Sequence, residues 1–313
     1  MEENLEISAD DPIIDLSPLH HNPLFVIKKI HEACRRCGFF HVINHGVADS
    51  VIEEALNVNR KFFELPTEIK EELWSDDVQK VVRFGEVEVG GISREFLKLY
   101  AHPLHQYVSS WPKLPLHYRE RMGLYATEVR KLSIELFGAI MESLNLSETH
   151  LKQNFEQGIQ ILGINSYSPC SGPNATTGLP PHTDHSLITV LLQSGPGLQV
   201  IDCRSNMSVG GLWKNVPRLN GSFQVLVGDH LEVLSNGLYK SVVHRAIPSC
   251  SNTRLSIANL HSLRMDEIVE PAGELQENEG RYKGSSLRDF LKHLASRDTR
   301  PFIETLRIDQ VES

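Results

Sequence analysis

The stretch Pro180-Pro181-His182-Thr183-Asp184-His185-Ser186-Leu187 is the part of the chain from which the fold and the chemistry can be predicted. The residues after it, up to Gln193, are mostly β-branched residues and leucine, which predicts that the stretch begins a strand. Side chains two residues apart on a strand point to the same face. We therefore expect His182 and Asp184 to reach one metal ion, with Thr183 turned away.

A third metal ligand must come from a second strand. Ser241-Val242-Val243-His244 is predicted to form a short strand, entered through the turn at Asn236-Gly237, and it supplies His244. Two histidines and one carboxylate on one face of a metal leave three adjacent positions open, as a non-haem iron(II) oxygenase requires. A zinc hydrolase could use the same three ligands. Alone, His182-Thr183-Asp184 is weak evidence, because a surface histidine and a turn-forming aspartate give the same pattern.

Two other predicted strands carry polar side chains in the same alternating pattern. Arg254-Leu255-Ser256 places a guanidinium and a hydroxyl on one face, and this pair can bind a carboxylate through charge-assisted hydrogen bonds. Asn165-Ser166-Tyr167 ends a predicted strand at 159–167 and presents an amide and a phenol together. A buried tyrosine hydroxyl usually needs a partner, which a bound acid would supply.

These blocks together resemble the plant 2-oxoglutarate- and iron(II)-dependent dioxygenases, which include anthocyanidin synthase, flavonol synthase, gibberellin oxidases and hyoscyamine 6-hydroxylase. The blocks occur in the order and at the spacing of that family. The matching segments are 165–170, 181–184, 197–200, Trp213 with Val216-Pro217, Gly228-Asp229, 235–245 and 254–256. N-terminal residues also match, at 38–40 with 44–47 and at 63–66.

The resemblance implies a mixed α+β protein with a double-stranded β-helix, a jelly-roll core flanked by helices, and it implies an oxygenase. The implied ligands of iron(II) are His182, Asp184 and His244. The residues implied to bind the co-substrate 2-oxoglutarate are Arg254, Ser256, Tyr167 and Asn165. O2 is the other co-substrate, and ascorbate is expected to support the reaction in vitro.

The motifs leave three reaction outcomes open: hydroxylation, desaturation and oxidative ring closure. Gly163 stands where anthocyanidin synthase has a lysine, Ser262 stands where it has a glutamate, and Leu260 replaces an aromatic residue. These differences favour an apolar plant specialised metabolite, such as a lignan whose ring is closed (yatein to deoxypodophyllotoxin). The alternatives are a hydroxylase of a flavonoid, alkaloid or hormone, and a non-catalytic small-molecule binding protein on the same fold.

Composition narrows the class of protein. The chain of 313 residues is 40% hydrophobic and 23% charged, as in ordinary globular proteins, and its net charge of −9 argues against a nucleic-acid partner. With no apolar run of membrane-span length, we expect a cytoplasmic protein, monomeric and without a membrane partner. Cys34-Arg35-Arg36-Cys37 could be redox-active or half of a zinc site, but two half-buried helix thiols are favoured.

Four regions are predicted along the chain. They are an N-terminal helical and strand region at 1–110, a long helical support at 111–157, the jelly-roll catalytic core at 158–262, and a C-terminal helix and tail at 263–313. Residues 1–10 are expected to be disordered. His45 is expected to be structural, and His185 to line the pocket or support the metal ligands.

Periodicity predicts the main elements outside the core. Apolar positions at Leu24, Ile27 and Ile30 predict a helix over 23–37, ended by Gly38. A strand at 39–44 and a helix reaching about residue 63 follow. Residues 75–93 show only weak patterning. A stripe of leucines and isoleucine predicts a helix over 116–144 that packs on the core. A last helix is expected at 285–294, with a tail at 297–308 across the entrance.

Overall fold

The computed structural model describes residues 11–89, 92–146, 149–169, 177–202, 212–249, 251–276, 280–296 and 298–308. Residues 1–10, for which disorder was expected, lie outside these ranges. The strands are β1 (Ile13–Asp15), β2 (Phe39–Ile43), β3 (Val82–Val89), β4 (Ile92–His102), β5 (Ile159–Tyr167), β6 (Leu179–His182), β7 (Ile188–Gln193), β8 (Leu198–Ile201), β9 (Trp213–Val216), β10 (Phe223–Val227), β11 (His244–Ala246) and β12 (Arg254–Ser262).

The helices surround this β core. They are α1 (Pro23–Arg36), α2 (Asp49–Phe63), α3 (Thr67–Glu71), α4 (Leu104–Tyr107), α5 (Tyr118–Ser143), α6 (Thr149–Glu156), α7 (Asp229–Leu234), α8 (Leu287–Ser296) and α9 (Phe302–Leu306). Short 3-10 turns lie at Val108–Ser110 and Gly273–Leu275. Within the described ranges, no helix is both long and apolar enough to cross a membrane.

The strands form two sheets, which confirms the predicted jelly-roll core. The large sheet has the order β1-β2-β10-β7-β12-β5-β4-β3, and the small sheet has the order β6-β11-β8-β9. The small sheet covers one face of the large one: a Cβ on Gly178, just before β6, would lie 2.7 Å from the Tyr167 ring. On the opposite face, Asn259 of β12 donates to the hydroxyl of Tyr125 on α5.

This arrangement divides each strand of the large sheet into an inner and an outer face. On β12, Arg254 and Ser256 face the small sheet, whereas Leu255 and Ile257 are buried in the main core on the helix side. The predicted stripe on α5 is part of this same core. Its members are Leu132, Leu136 and Ile140, with Leu144 just beyond the helix. The apolar helix layer therefore supports the sheet whose other face carries the polar side chains.

The N-terminal elements largely follow their predictions, with one wrong core position. Helix α1 buries Ile27 and Ile30, but Leu24 is 73% exposed, because Val26 takes the inward position in the first turn. Gly38 ends the helix region with a φ of +68°, and a Cβ there would lie 2.3 Å from the Lys240 carbonyl oxygen. Only glycine suits both the left-handed backbone and the close contact.

The hairpin β3–β4 is the main element that the weak patterning of 75–93 did not predict. Its strands pair in register along their whole length, and β4 then pairs with β5. The outer face of β4 is apolar at Leu97 and Leu99, but its inner face carries Arg94 and Lys98. Charged residues at inward positions remove the simple alternation by which strands are recognised.

Two further differences concern the ends of elements. Helix α8 is not the last helix, because α9 follows in the predicted tail, where Phe302 contacts His230 and Phe290. Strands β1 to β4 belong to the same sheet as strands from 158–262. The division into four regions stays a prediction, as does the placement of the tail across the entrance.

Candidate active site

Three predicted side chains meet between the two sheets. His182 ends β6 and pairs directly with His244, the first residue of β11, so that their ring centroids are 4.2 Å apart. Asp184 Oδ1 lies 3.9 Å from Nε2 of each histidine. One ligand atom from each residue lies within 4.8 Å of the others, and this is the one such cluster of metal-binding side chains in the described part of the chain.

The backbone that carries these ligands differs from the prediction. Asp184 lies in the turn between β6 and β7 rather than on a strand, and residues 241–243 precede β11 instead of belonging to it. The strand β6 is an edge strand, which tolerates Pro180 and Pro181 because an edge needs fewer backbone donors. The two histidines therefore converge across an antiparallel pair, and the turn brings the carboxylate back toward them.

Backbone carbonyls orient both histidine rings. Nδ1 of His182 lies 2.8 Å from the Pro180 carbonyl oxygen, and Nδ1 of His244 lies 3.0 Å from that of Val242. A carbonyl only accepts, so each Nδ1 carries the proton and each Nε2 keeps its lone pair for a metal. Burial, and then the neighbouring His244, lower the pKa of His182 to about 4, which keeps this ring neutral at pH 7.

The turn that holds Asp184 rests on the start of α7. The Asp229 amide donates to the Asp184 carbonyl at 2.7 Å, and the Thr183 hydroxyl donates to Asp229 Oδ2 at 3.2 Å. Thr183 is thus turned away from the cluster, as predicted. Burial raises the pKa of Asp229 to about 7. Gly228 lies so close to the turn that a Cβ would be 2.0 Å from the Ser186 carbonyl oxygen.

We expect Gly228→Ala to destabilise the protein and to displace the Asp184 turn. The added methyl group would meet backbone atoms that cannot rotate away, so the free energy of unfolding should fall by about 1–3 kcal/mol. Urea unfolding measures this change. The matched control is Gly273→Ala, where a Cβ meets nothing within 4 Å and the change should stay within about 0.5 kcal/mol. Equal stability of both variants would contradict the packing argument.

Arg254 lies deep beside this cluster and has an unused donor. Its side chain is buried, its Nη2 donates to Gln193 Oε1, and its Nε donates to the Gly195 carbonyl at 3.3 Å. The third nitrogen, Nη1, is buried and has no hydrogen-bond partner. Burial lowers the pKa of Arg254, yet a guanidinium stays charged in proteins. A buried cation with a free donor is suited to bind an anion.

The other predicted co-substrate residues lie on the same inner face. In the sheet register Tyr167 is opposite Arg254, and Asn165 is opposite Ser256. The Arg254 guanidinium carbon lies 5.0 Å from the centre of the Tyr167 ring. The Asn165 side-chain oxygen accepts a hydrogen bond from Arg94 at 2.7 Å, so the amide is already fixed by the protein.

Sequence reasoning missed the residues that hold Arg254 and Asn165. Gln193 orients Arg254, and Gln193 Nε2 donates in turn to Gln224 Oε1 at 3.0 Å. Arg94 lies opposite Tyr167 on β4. Gln193 could have been found as a polar inward position at the end of an otherwise apolar strand. Arg94 could not, because the hairpin that carries it was not predicted.

Four other side chains of types that can bind a metal make different contacts. His185 is buried and stacks on Phe290 with ring centroids 4.0 Å apart, apart from the metal-binding cluster. His45 bonds the Gly221 carbonyl, which agrees with a structural role. Cys34 is buried in the main core, where burial raises the pKa of its thiol, and Cys37 is buried in a separate smaller cluster. Both thiols are therefore packed in the interior, but they are buried rather than half-buried, and Cys37 lies just beyond the end of α1.

The fold and the side chains define the class of protein. Two neutral imidazoles and one carboxylate, all from one side, suit iron(II) with open positions for other ligands. The unpartnered Nη1 of Arg254 suits the far carboxylate of a co-substrate such as 2-oxoglutarate. A jelly roll with such a centre between its sheets is the architecture of an iron(II)- and 2-oxoglutarate-dependent oxygenase.

Comparison with known proteins agrees with this class. Residues 158–262 match the model of the 2OG-Fe(II) oxygenase superfamily, and residues 12–114 match that of the non-haem dioxygenase in morphine synthesis N-terminal region. The chain is 42% identical over 309 residues to flavanone 3-dioxygenase 3 of Oryza sativa subsp. japonica, covering 96% of this chain and 91% of that protein. The chain therefore belongs to the 2OG-Fe(II) oxygenase superfamily.

Solved structures give the same result. The structure of JOX2 in complex with 2OG, Fe, and JA has a TM-score of 0.82 and 30% identity, covering 95% of this chain and 89% of that one. The structure of a dioxygenase for auxin oxidation in rice has a TM-score of 0.79 and 26% identity, covering 96% and 100%. The protein is an enzyme that uses iron(II) and 2-oxoglutarate, which removes the zinc-hydrolase and binding-protein alternatives.

Proposed function

We propose that His182, Asp184 and His244 hold the iron(II) ion. The observation that carries this assignment is the position of Asp184 Oδ1, which is 3.9 Å from both Nε2 atoms. Both histidines have their other ring nitrogen fixed by a backbone carbonyl. The side chain of His182 is 33% exposed and that of His244 is 10% exposed, so the site would be reached from outside past His182.

We further propose that Arg254 binds the distal carboxylate of 2-oxoglutarate, with Ser256 and Tyr167 on the same face. The support is the buried Nη1 atom of Arg254, which donates no hydrogen bond to any described residue. Asn165 is proposed to line the co-substrate site without binding the carboxylate, because its side-chain oxygen already accepts a hydrogen bond from Arg94. Gln193 is proposed to position Arg254 rather than to contact the ligand.

When bound together, iron(II), 2-oxoglutarate and O2 supply an oxidant able to break a C–H bond, with succinate and CO2 as co-products. The tasks of the chain are to bind, orient and exclude water. Arg254 sets the direction of the co-substrate, the rings of His182 and His244 are fixed through Nδ1, and the small sheet closes over the inner face. These features are common to hydroxylation, desaturation and ring closure.

We propose hydroxylation of a plant metabolite or hormone as the reaction. Support comes from the relatives, one named for a flavanone and one solved with JA, while another is named for auxin oxidation. Ring closure of a lignan, from yatein to deoxypodophyllotoxin, is the second candidate. Gly163 and Leu260 favour this candidate, because they leave part of the inner face apolar. The two residues are neighbours there, since a Cβ on Gly163 would lie 3.8 Å from the Leu260 side chain.

A mass comparison tests the reaction. Purified protein is incubated with ferrous iron, ascorbate, 2-oxoglutarate and a panel of flavanones, lignans, and auxin- and JA-type acids, with a sample lacking 2-oxoglutarate as the control. A product one oxygen heavier, formed with an equal amount of succinate, is expected. A product two hydrogens lighter would show that the reaction is desaturation or ring closure and not hydroxylation. No succinate above the control with any compound would overturn the proposal.

We also propose that the enzyme is a cytoplasmic monomer, as the acidic, mixed-charge chain permits. Size-exclusion chromatography with light scattering should give one chain of 35.3 kDa. Cell fractionation with antibodies should place the protein in the cytosolic fraction. Enrichment in an organelle, or twice the mass, would overturn the corresponding part.

A further inference from the structure

The inner face of the β3–β4 hairpin carries three cations. Arg83 and Lys98 are direct partners in the register of the two strands, and Arg94 lies on the same face of β4. Both guanidiniums contact the Phe96 ring, and their carbon atoms lie 5.0 Å and 5.3 Å from its centre. We call Arg83, Arg94 and Lys98, with Phe96, the cationic strip.

Among the described residues no carboxylate forms an ion pair with this strip, although Asp77 lies close enough to Lys98 to oppose part of the lowering of its pKa. Arg83 donates to the Ser75 carbonyl at 2.7 Å, and Lys98 donates to the Val78 carbonyl at 2.6 Å. Arg94 donates to an amide oxygen, and its Nε is buried without a partner. The nearby Glu95 is on the outer face, where it pairs with Lys70.

Like charges that share a half-buried face destabilise the protein unless an anion joins them. Burial first, and the nearby Arg83 second, lower the pKa of Lys98 to about 8. Burial likewise lowers the pKa of Arg94, with Arg83 adding to it. Charged groups whose pKa values are shifted by burial and by neighbouring charges are candidates for binding sites.

The strip lies next to the proposed metal centre but apart from the proposed 2-oxoglutarate anchor. Across the sheet, Arg94 is opposite Tyr167, which is opposite Arg254, so one tyrosine separates the two arginines. Lys98 is opposite Gly163, and Gly163 is opposite Ala258. Both residues are small, so their side chains leave room on the inner face of the sheet beside Lys98. The Tyr167 ring lies against Gly178, just before the strand β6 that ends at His182, so Arg94 is on the side of the sheet that faces the cluster.

We propose that the cationic strip binds an acidic group of the substrate, so that the enzyme oxidises a carboxylic acid with an apolar body rather than a neutral polyphenol. The carboxylate would lie over the strip, attracted by the positive charges of Arg94 and Lys98, and the apolar body would lie over Gly163 toward the metal. This inference rests on the proposed function, because it needs the metal centre to be beside the strip. The sequence favoured an apolar plant metabolite, and under this proposal the apolar body carries one acidic group.

Matched pairs of acid and ester test the proposal. Indole-3-acetate and cinnamate are compared with their methyl esters, and the neutral flavanone naringenin is included. Binding is measured by calorimetry on the protein loaded with ferrous iron and 2-oxoglutarate without O2, and turnover is measured as succinate formed. At least one acid should bind about 10- to 100-fold more tightly than its ester, the effect of one or two charge-assisted hydrogen bonds.

Variants assign the preference to the strip. Lys98→Met and Arg94→Gln should each reduce the acid-over-ester ratio about tenfold or more, and Lys98→Arg should restore most of it. The control is Lys131→Met, an exposed residue that pairs with Glu128, which should leave the ratio unchanged. The KM for 2-oxoglutarate should stay the same in the Lys98 variants.

The possible outcomes separate the inference from the proposed function. Succinate formed without an acid preference, or with naringenin bound best, overturns the inference and leaves the proposed function standing. A preference that survives both Lys98→Met and Arg94→Gln also overturns it. A parallel rise of the KM for 2-oxoglutarate would show that the strip binds the co-substrate instead. Absence of any succinate, with acid binding retained, would count against the proposed function alone.

Discussion

The variant His182→Ala should lose substrate-dependent turnover by roughly 10³-fold or more, which corresponds to about 4 kcal/mol of transition-state stabilisation. Removing one of three protein ligands leaves an open metal site that neither holds iron(II) tightly nor fixes its open positions. The fold should survive, because the side chain is 33% exposed and lies at the edge of the small sheet. Succinate formation at saturating 2-oxoglutarate and a titration with ferrous iron measure the two effects.

A matched control excludes general damage. His105→Ala changes an exposed histidine of α4, and it should alter turnover less than about twofold and stability by no more than about 0.5 kcal/mol. Urea unfolding should show His182→Ala within about 1 kcal/mol of the unaltered protein. If His182→Ala kept a tenth of the turnover, the assignment of His182 to the metal would be wrong. If it failed to unfold cooperatively, Asp184→Asn would replace it.

The sequence predicted those parts of the site that lie on regular strands. The predicted strand at 159–167 has the bounds of β5, and Arg254 begins β12 as expected. Alternation placed Arg254 with Ser256 on one face of a strand and Asn165 with Tyr167 on one face of another. That the two pairs share a site was implied by the family resemblance, and the register of β12 with β5 sets Tyr167 opposite Arg254. The apolar residues Leu255 and Ile257 supported the placement of Arg254 with Ser256, because they had to face the core.

Features that depend on pairing between distant segments could not be predicted in this way. The carboxylate of Asp184 reaches the histidines from a turn, and that turn is fixed by Gly228 and Asp229, more than forty positions away in the sequence. The two-residue spacing suggested a strand, but a tight turn also brings such residues together. His244 is brought to His182 only by the register of β11 with β6.

The cationic strip shows a second reason why part of the structure could not be predicted from the sequence. Arg94 and Lys98 occupy inward positions on β4, where an apolar residue would have made the strand recognisable. Stability alone favours apolar residues there, so local sequence and global fold disagree at this strand. Such disagreements concentrate at functional sites, and the strand that was hardest to predict is the one that carries the proposed substrate contact.

The variant Arg254→Lys should raise the KM for 2-oxoglutarate by about 10- to 100-fold, the loss of one or two hydrogen bonds to a charged group. Arginine uses Nη2 on Gln193 and Nε on the Gly195 carbonyl while Nη1 stays available. Lysine keeps the charge but has one nitrogen on a flexible stem, and it cannot satisfy Gln193 and present a fork to a carboxylate at the same time. Initial rates over a range of 2-oxoglutarate concentrations give the KM.

Comparison with two further variants separates binding from orientation. Gln193→Met leaves Arg254 charged but removes the oxygen that holds Nη2, and it should raise the KM about tenfold, as loss of a supporting contact does at metal sites. Arg245→Lys changes an arginine that stacks on Trp213 at 4.1 Å, and it should leave the KM unchanged. An unaltered KM in Arg254→Lys would show that the co-substrate is anchored elsewhere. A larger effect in Gln193→Met than in Arg254→Lys would make Gln193 the direct contact, because positioning cannot matter more than the group that is positioned.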